Sequence, residues 1–515
     1  MIKLTLIGQS LYYAEIYSLL KPELKPFYFG VASGDPTENS VNIWSKILPD
    51  SAGVYKVSWE VAEDSFFSKI ARTGFTLVDS STAYTLIEKV HGLEPGKTYY
   101  YRFSINGIFS PVGRTKTAAM QCDTLRLAVV SCNDYQSGYY NAFGNIASRK
   151  DIDAVIHLGD YIYEYPRKKK GQKNTAREHI PAHEIISLKD YRSRYAQYRL
   201  DSNMMEMHRL HPVIAVWDDH EFANDAWTDS AENHQSGEGL WHERKRIARK
   251  VYFEWLPVFP TNEEGVIREL RFGNLATLFM LDTRIANRSA QLHSHKDSAY
   301  LSPERHLIGR NQSEWLINGI KNNSARWSLI GNQVLFSPLD LSHITKKYAR
   351  IMDVWDGYPA ERKKLIEAFN TYGLKNIIIL TGDIHISMAF ELDNFMQTKD
   401  HRITPDNAVF GAEFVTPSIT STNFDEHMPK GIAKMVEKMM KSKKRNPYLK
   451  FVNNTDHGYM TVTLTENDAV AHWHYCKTIK KPSSEMKEKV SGYIFTNSTK
   501  KLEQLVSDKT ILPKY

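Results

Sequence analysis

Apolar positions along this chain change their spacing near residue 120. Upstream they alternate: in Val54-Tyr55-Lys56-Val57-Ser58-Trp59-Glu60-Val61 they recur with period two, as in a strand with one buried face. Downstream they come as short unbroken runs. Leu127–Val130, Ala154–Ile156, Val213–Val216, Ala276–Met280, Trp327–Ile330 and Ile377–Leu380 each suit a strand covered on both faces. Segments with helical spacing lie between them, such as 362–372, where Leu365, Ile366 and Phe369 share one face. The first pattern predicts an all-β unit and the second an α/β layered domain.

Turn signals set the boundaries. Gly34-Asp35-Pro36 separates Phe27–Val31 from Val41–Trp44, and Pro95-Gly96 feeds the aromatic run Tyr99–Phe103, the corner of a fibronectin/Ig-like sandwich. We expect residues 1–26 to form an N-terminal segment and 27–118 the β-sandwich. Residues 124–480 form the α/β domain, with a late β portion around 411–415 and 458–464, and 481–515 a C-terminal tail. Two basic stretches stand out. Residues 167–173 predict a solvated loop or, alternatively, a mobile basic lid that concentrates anionic esters. Residues 430–450 carry Met and Lys at helical spacing and predict a surface helix.

Composition narrows the function classes. The 515 residues are 42% hydrophobic and 24% charged, ordinary for a globular protein of two or more domains. A net charge of +7 suits an anionic substrate or a merely basic surface. Without a basic stripe or groove-reading motif, it does not point to nucleic acid. Three cysteines are too few for a disulfide framework; Cys122 and Cys476 would pair only in an oxidising compartment, and buried free thiols are the plainer reading. Residues 1–8 begin like a short signal peptide, but Gln9 and Glu15 break the run and there is no twin arginine. No stretch approaches the roughly 18–20 apolar residues of a membrane-spanning helix.

Four of the apolar runs end in residues that carry chemistry: Ser131-Cys132, Gly159-Asp160-Tyr161-Ile162-Tyr163, Asp218-Asp219-His220-Glu221 and Gly382-Asp383-Ile384-His385. Active sites of α/β sheets form beyond the carboxyl ends of strands, so four such ends predict a metallohydrolase. Gly159 allows a tight turn and leaves room for an ion at Asp160. Tyr163 is either a packing aromatic or a phenolate ligand to a trivalent metal. Cys132 is either a small core residue or a thiolate favouring iron or zinc. Four adjacent ionisable groups cannot all be buried unpaired, and a cation resolves that cost. Asp219 is the ligand there and His220 the imidazole facing the substrate's oxygens, while Asp218 and Glu221 orient their neighbours. Asp383 and His385 alternate and face one side. His157 reads as a core residue. His457, Asn224 and Asp225 are candidates for lining the substrate pocket or serving a further cation. Together the groups predict two or more metals sharing Asp160 as a bridge. Neither a Gly-x-Ser-x-Gly elbow nor a phosphate loop is present.

These motifs, with Phe29-Gly30-Val31-Ala32-Ser33-Gly34-Asp35-Pro36, Trp217-Asp218-Asp219-His220-Glu221 and Thr381-Gly382-Asp383-Ile384-His385-Ile386-Ser387, resemble the PhoD-like alkaline phosphatases, a branch of the calcineurin-like metallophosphoesterases. The resemblance covers about residues 27–475. It implies a four-layer α/β/β/α phosphoesterase domain behind the β-sandwich, with Fe3+ and Ca2+ in the site. Carried over, Cys132, Asp160, Tyr163 and His385 belong to the iron side, and Asp160, Asp219 and Asp383 to the calcium side. It also implies export to the periplasm or beyond, although the expected twin-arginine leader is not seen here, and Asn133 after the cysteine is a small departure.

The expected activity is hydrolysis of small phosphate esters by in-line attack of metal-bound hydroxide, with His220 stabilising charge on the phosphoryl group. A phospholipase D-type diesterase and a non-catalytic surface-binding protein are the alternatives. The clustered carboxylates argue against the latter.

Overall fold

The computed structural model describes residues 15–169, 172, 175–261, 265–345, 349–394, 396–397, 403–404, 409–428, 431–488 and 491–505. The leader-like residues 1–8, most of the tail beyond 505, and 170, 171 and 173 of the basic loop lie outside these.

The downstream apolar runs become the parallel centres of two sheets. The larger has ten strands, in spatial order Lys501–Gln504, Ser491–Thr496, Asp468–Tyr475, Gly458–Leu464, Leu125–Val130, Ala154–His157, Pro212–Ala215, Val31–Gly34, Ser40–Lys46 and Thr85–His91. Leu125–Val130, Ala154–His157, Pro212–Ala215 and Val31–Gly34 pair in parallel. The second sheet has seven: Arg268–Phe272, Ala276–Met280, Trp327–Asn332, Ile377–Thr381, Gly411–Val415, Ser387–Leu392 and Leu449–Asn453. Its run from Ala276 to Val415 is parallel. A separate antiparallel sheet holds Ile70–Val78, Tyr55–Ala62, Thr98–Ile105, Ile108–Phe109 and Gly113–Lys116.

Alternate residues of the seven-stranded sheet enter two cores. Leu278, Met280, Leu329, Ile378 and Leu380 join Leu127, Val129, Val155, Met460 and Val462 of the larger sheet. Phe279, Leu281, Ile330, Ile377 and Ile379 join Leu316 and Ile320 of the helix Gly309–Lys321 and Leu365, Ile366 and Phe369 of Pro359–Thr371. Both faces are thus apolar, which is why these strands read as unbroken runs. On the larger sheet lie Leu188–Arg199, whose start is fixed by a Ser187–Asp190 capping box, and Trp241–Trp255.

Two expectations change. Residues 27–118 do pack Val31, Val41, Ile43, Leu86 and Val90 against Val57, Val61, Tyr101 and Phe103 in one core. But Val31–Gly34, Ser40–Lys46 and Thr85–His91 continue the ten-stranded sheet, because Ser33 and Gly34 pair with Pro212 and Val213. Gly34 permits this approach: an added Cβ would lie 2.6 Å from the Val213 carbonyl oxygen. Residues 491–504, expected in a tail, form two strands at the far edge of that sheet, because Tyr493, Phe495 and Leu502 alternate into its core. All three cysteines are free thiols.

Candidate metal centre

The parallel strands deliver their carboxyl ends to one place. Leu125–Val130 ends two residues before Cys132, Ala154–His157 three before Asp160, Pro212–Ala215 leads into Asp218–Glu221, and Ile377–Thr381 into Asp383 and His385. The turns are tight. Cys132, Asp160, Asp383 and His385 all hold left-handed backbone, with φ of 60°, 55°, 61° and 58°. That conformation costs a non-glycine residue on the order of 1–3 kcal/mol, and the cost recurs at four of the predicted ligands. Gly159, at φ 102°, packs so closely that a Cβ would lie 2.4 Å from that of Asp218. Only glycine lets the two strand ends meet.

Donor atoms then gather in three overlapping groups. Cys132, Asp160 and His385 each bring one to within 4.8 Å of the others, as do Asp160, Asp219 and His220, and Asp218, Asp219 and Asp383. Tyr163 joins the first: its hydroxyl donates to Asp160 Oδ2 at 2.9 Å, stands 3.4 Å from His385 Nε2 and accepts from Ser421 Oγ at 2.6 Å. His385 Nδ1 lies 3.0 Å from the Thr422 carbonyl, which fixes the proton there and leaves Nε2 as a lone-pair donor.

The buried oxygens Asp160 Oδ1, Asp218 Oδ2 and Asp219 Oδ1 have no hydrogen-bond partner. Unpartnered carboxylate oxygen at full burial is expensive, and cations remove that expense. Burial, reinforced by Asp160, pushes the Cys132 thiol and the Tyr163 phenol well above their usual ranges. Burial also raises Asp160, against His220, and Asp383. Burial thus disfavours the charged form of each group, and a bound metal ion inverts that. A sulfur, a phenol oxygen and an imidazole on one side of Asp160, and carboxylates on the other, are donor sets that fit bound metal ions.

His220 Nδ1 lies 2.7 Å from Glu164 Oε2. Glu164 is fully buried and also accepts from the Asn224 backbone and Asn233 Nδ2, both at 2.8 Å. Burial alone would lower the imidazole's pKa, but Asp219, Asp160 and Glu164 together hold it well above its usual value. Glu221 faces inward and accepts from the backbones of Asp160, Tyr161 and Asp218 at 3.1, 2.6 and 2.8 Å, tying two strand ends together. Asp225 donates its N–H to Asp219 Oδ2 at 2.6 Å.

Asn224 sits at the rim, its Oδ1 accepting from the Tyr165 hydroxyl at 2.8 Å. His457 is set further back, with Nδ1 3.0 Å from Ser418 Oγ and Nε2 3.5 Å from Glu426. His157 is a core residue bonded to Asn133 Oδ1 at 2.7 Å. Lys168 of the basic loop is tied to Asp134 at 3.2 Å and Ser137 at 2.9 Å.

Sequence reading missed a buried arginine. Arg284 Nε donates to Asp218 Oδ1, Nη1 to both oxygens of Asp353 at 2.8 and 2.7 Å, and Nη2 to Asp383 Oδ1 at 3.0 Å. Asp219 Oδ1 is 3.6 Å away. Arg288 backs it from Asp353. Arg284 therefore takes one oxygen of Asp218 and of Asp383 and leaves the other oxygen of each to the site. Its signal was available: Asp282-Thr283-Arg284 follows the strand Ala276–Met280, a strand end like the other four.

Two sheets packed face to face, with N, O and S donors gathered beyond their carboxyl ends, define a metal-dependent hydrolase. Comparison with known proteins makes this specific. The PhoD-like phosphatase family matches residues 127–473, and the PhoD-like phosphatase N-terminal domain residues 18–119. Alkaline phosphatase D of Bacillus subtilis (strain 168) is 35% identical over 488 residues, covering 90% of this chain and 80% of that protein. A solved structure of PhoD superposes with a TM-score of 0.83 at 33% identity, covering 95% of this chain and 93% of that one. The chain belongs to the PhoD-like phosphatase family and is a phosphoester-hydrolysing enzyme. No helix among its described residues is long and apolar enough to cross a membrane.

Proposed function

We propose that Cys132, Asp160, Tyr163 and His385 would hold a ferric ion in this phosphatase, and that Asp160, Asp219 and Asp383 would hold a calcium ion. The observation that carries the reading is that Asp160 shares donor groups with both sides. When bound, such ions supply Lewis-acid polarisation of phosphoryl oxygens and water of lowered pKa.

The chain's own residues do the rest. His220, oriented by Glu164, would in its imidazolium form offer its remaining N–H to a phosphoryl or leaving-group oxygen. Arg284 aims the acidic side chains. Tyr165 and Asn224 form a polar edge for the ester's alcohol portion, and His457, held by Ser418 and Glu426, is the further pocket-lining residue. The substrate is a small phosphate ester. We read residues 27–118 as a sandwich module sharing a sheet with a four-layer α/β/β/α domain over 124–480, and the protein as exported.

Elemental analysis of the purified protein tests this. Iron and calcium near one equivalent or more each are expected, with activity lost on chelation and restored by both together. Full activity in protein lacking iron would overturn the assignment of Cys132 and Tyr163.

A further inference from the structure

One basic feature has no part in this chemistry. The helix Ile432–Met440 and the turn after it carry Lys434, Lys438, Lys441, Lys443 and Lys444 against one acid, Glu437. All five lysines are exposed. None is ion-paired among the described residues, whereas Arg445 and Lys450 in the same stretch pair with Asp340 at 3.3 Å and Glu391 at 2.8 Å. Glu437 does not offset them from outside, because it accepts the Asn454 N–H at 2.9 Å.

The helix turns Ala433, Val436 and Met440 into the protein. Lys434, Lys438 and Lys441, at i, i+4 and i+7, share the outward face. Met435, next round the helix from Lys438, is 55% exposed, and Ile432, between Met435 and the buried face, is 36% exposed. The outer face thus mixes unpaired lysines with bare aliphatic side chains.

Its attachments lead toward the metal centre. Asn454, which holds Glu437 and also bonds the Ala433 carbonyl at 3.2 Å, lies on the loop of His457. On the other side, the short helix Phe424–His427 continues from Ser421 and Thr422, the partners of Tyr163 and His385.

We propose that this face docks the enzyme on an anionic lipid bilayer, concentrating it where phosphate esters of the membrane surface lie. An anionic surface raises partitioning roughly fivefold per nearby lysine. A soluble polyanion would answer the lysines but leave Ile432 and Met435 in water, and a neutral bilayer would answer only those two. The proposal draws on the reading of the site for its purpose, but vesicle binding is measured independently of catalysis.

The test is sedimentation of the full-length, metal-loaded protein with phosphatidylcholine vesicles and with vesicles also containing about a third phosphatidylglycerol. We expect binding to the anionic vesicles alone, reversed by salt. The combined variant Lys434→Gln, Lys438→Gln, Lys441→Gln and Lys443→Gln should bind at least about tenfold more weakly. Met435→Ser should bind a few-fold more weakly, and both should keep wild-type turnover of a soluble chromogenic ester. Equal binding to neutral vesicles, unchanged binding by the lysine variant, or binding to soluble polyphosphate without vesicle binding would each overturn the proposal.

Discussion

The two sides of Asp160 solve the same electrostatic problem differently. On one side Cys132, Tyr163 and His385 carry protons or lone pairs, and neutral partners orient them: the Ser131 hydroxyl at Cys132, the Ser421 hydroxyl at Tyr163 and the Thr422 carbonyl at His385. Little charge accumulates there until an ion arrives. On the other side Asp218, Asp219, Asp353 and Asp383 crowd together, and the protein supplies its own cation, Arg284, to hold them. Burying a carboxylate group needs a permanent counter-charge, whereas burying neutral donors needs only orientation. The two sides should therefore fail in different ways.

The change that breaks both is Asp160→Ala. Hydrolysis of a chromogenic phosphomonoester should fall by at least about a thousandfold. Both metals should be lost in elemental analysis, while thermal unfolding stays cooperative. Cys132→Ser should separate the sides: iron content falls, calcium content stays, and turnover drops on the order of a hundredfold. Arg284→Gln should do the opposite. Leaving buried carboxylates unpaired should cost about 3–5 kcal/mol in denaturant unfolding of the metal-free protein. Adding Asp353→Asn should recover part of that, and iron should be retained. Equal loss of iron and calcium would erase the distinction. The smallest effect belongs to Glu164→Gln, which frees His220: kcat should fall about tenfold or somewhat more with both metals still bound.

Much of the centre was legible in the sequence because one rule governs it. A buried parallel strand is an unbroken apolar run, so the polar residues that end it are conspicuous, and Asp160, Asp219 and Asp383 stood out for that reason. Arg284 obeyed the same rule and was passed over. Asp353 had no such mark, since it precedes only the short turn Trp355–Gly357. Ser421 and Thr422 work largely through a hydroxyl and a backbone carbonyl in an irregular stretch, and no residue pattern announces that. In the fold, the paired layers of 27–118 were visible from alternation. Their hydrogen bonding to Pro212–Ala215 was not, because strand partners 179 residues apart leave no local trace.

That pairing has a consequence for anyone hoping to trim the protein. Val31–Gly34 lies alongside the segment that runs directly into Asp218, Asp219 and His220. A version starting at residue 120 would bare that seam to solvent and to any stray chain able to zip onto it. The front portion is thus less a detachable bead than a splint, and excising it should blunt the enzyme from a distance.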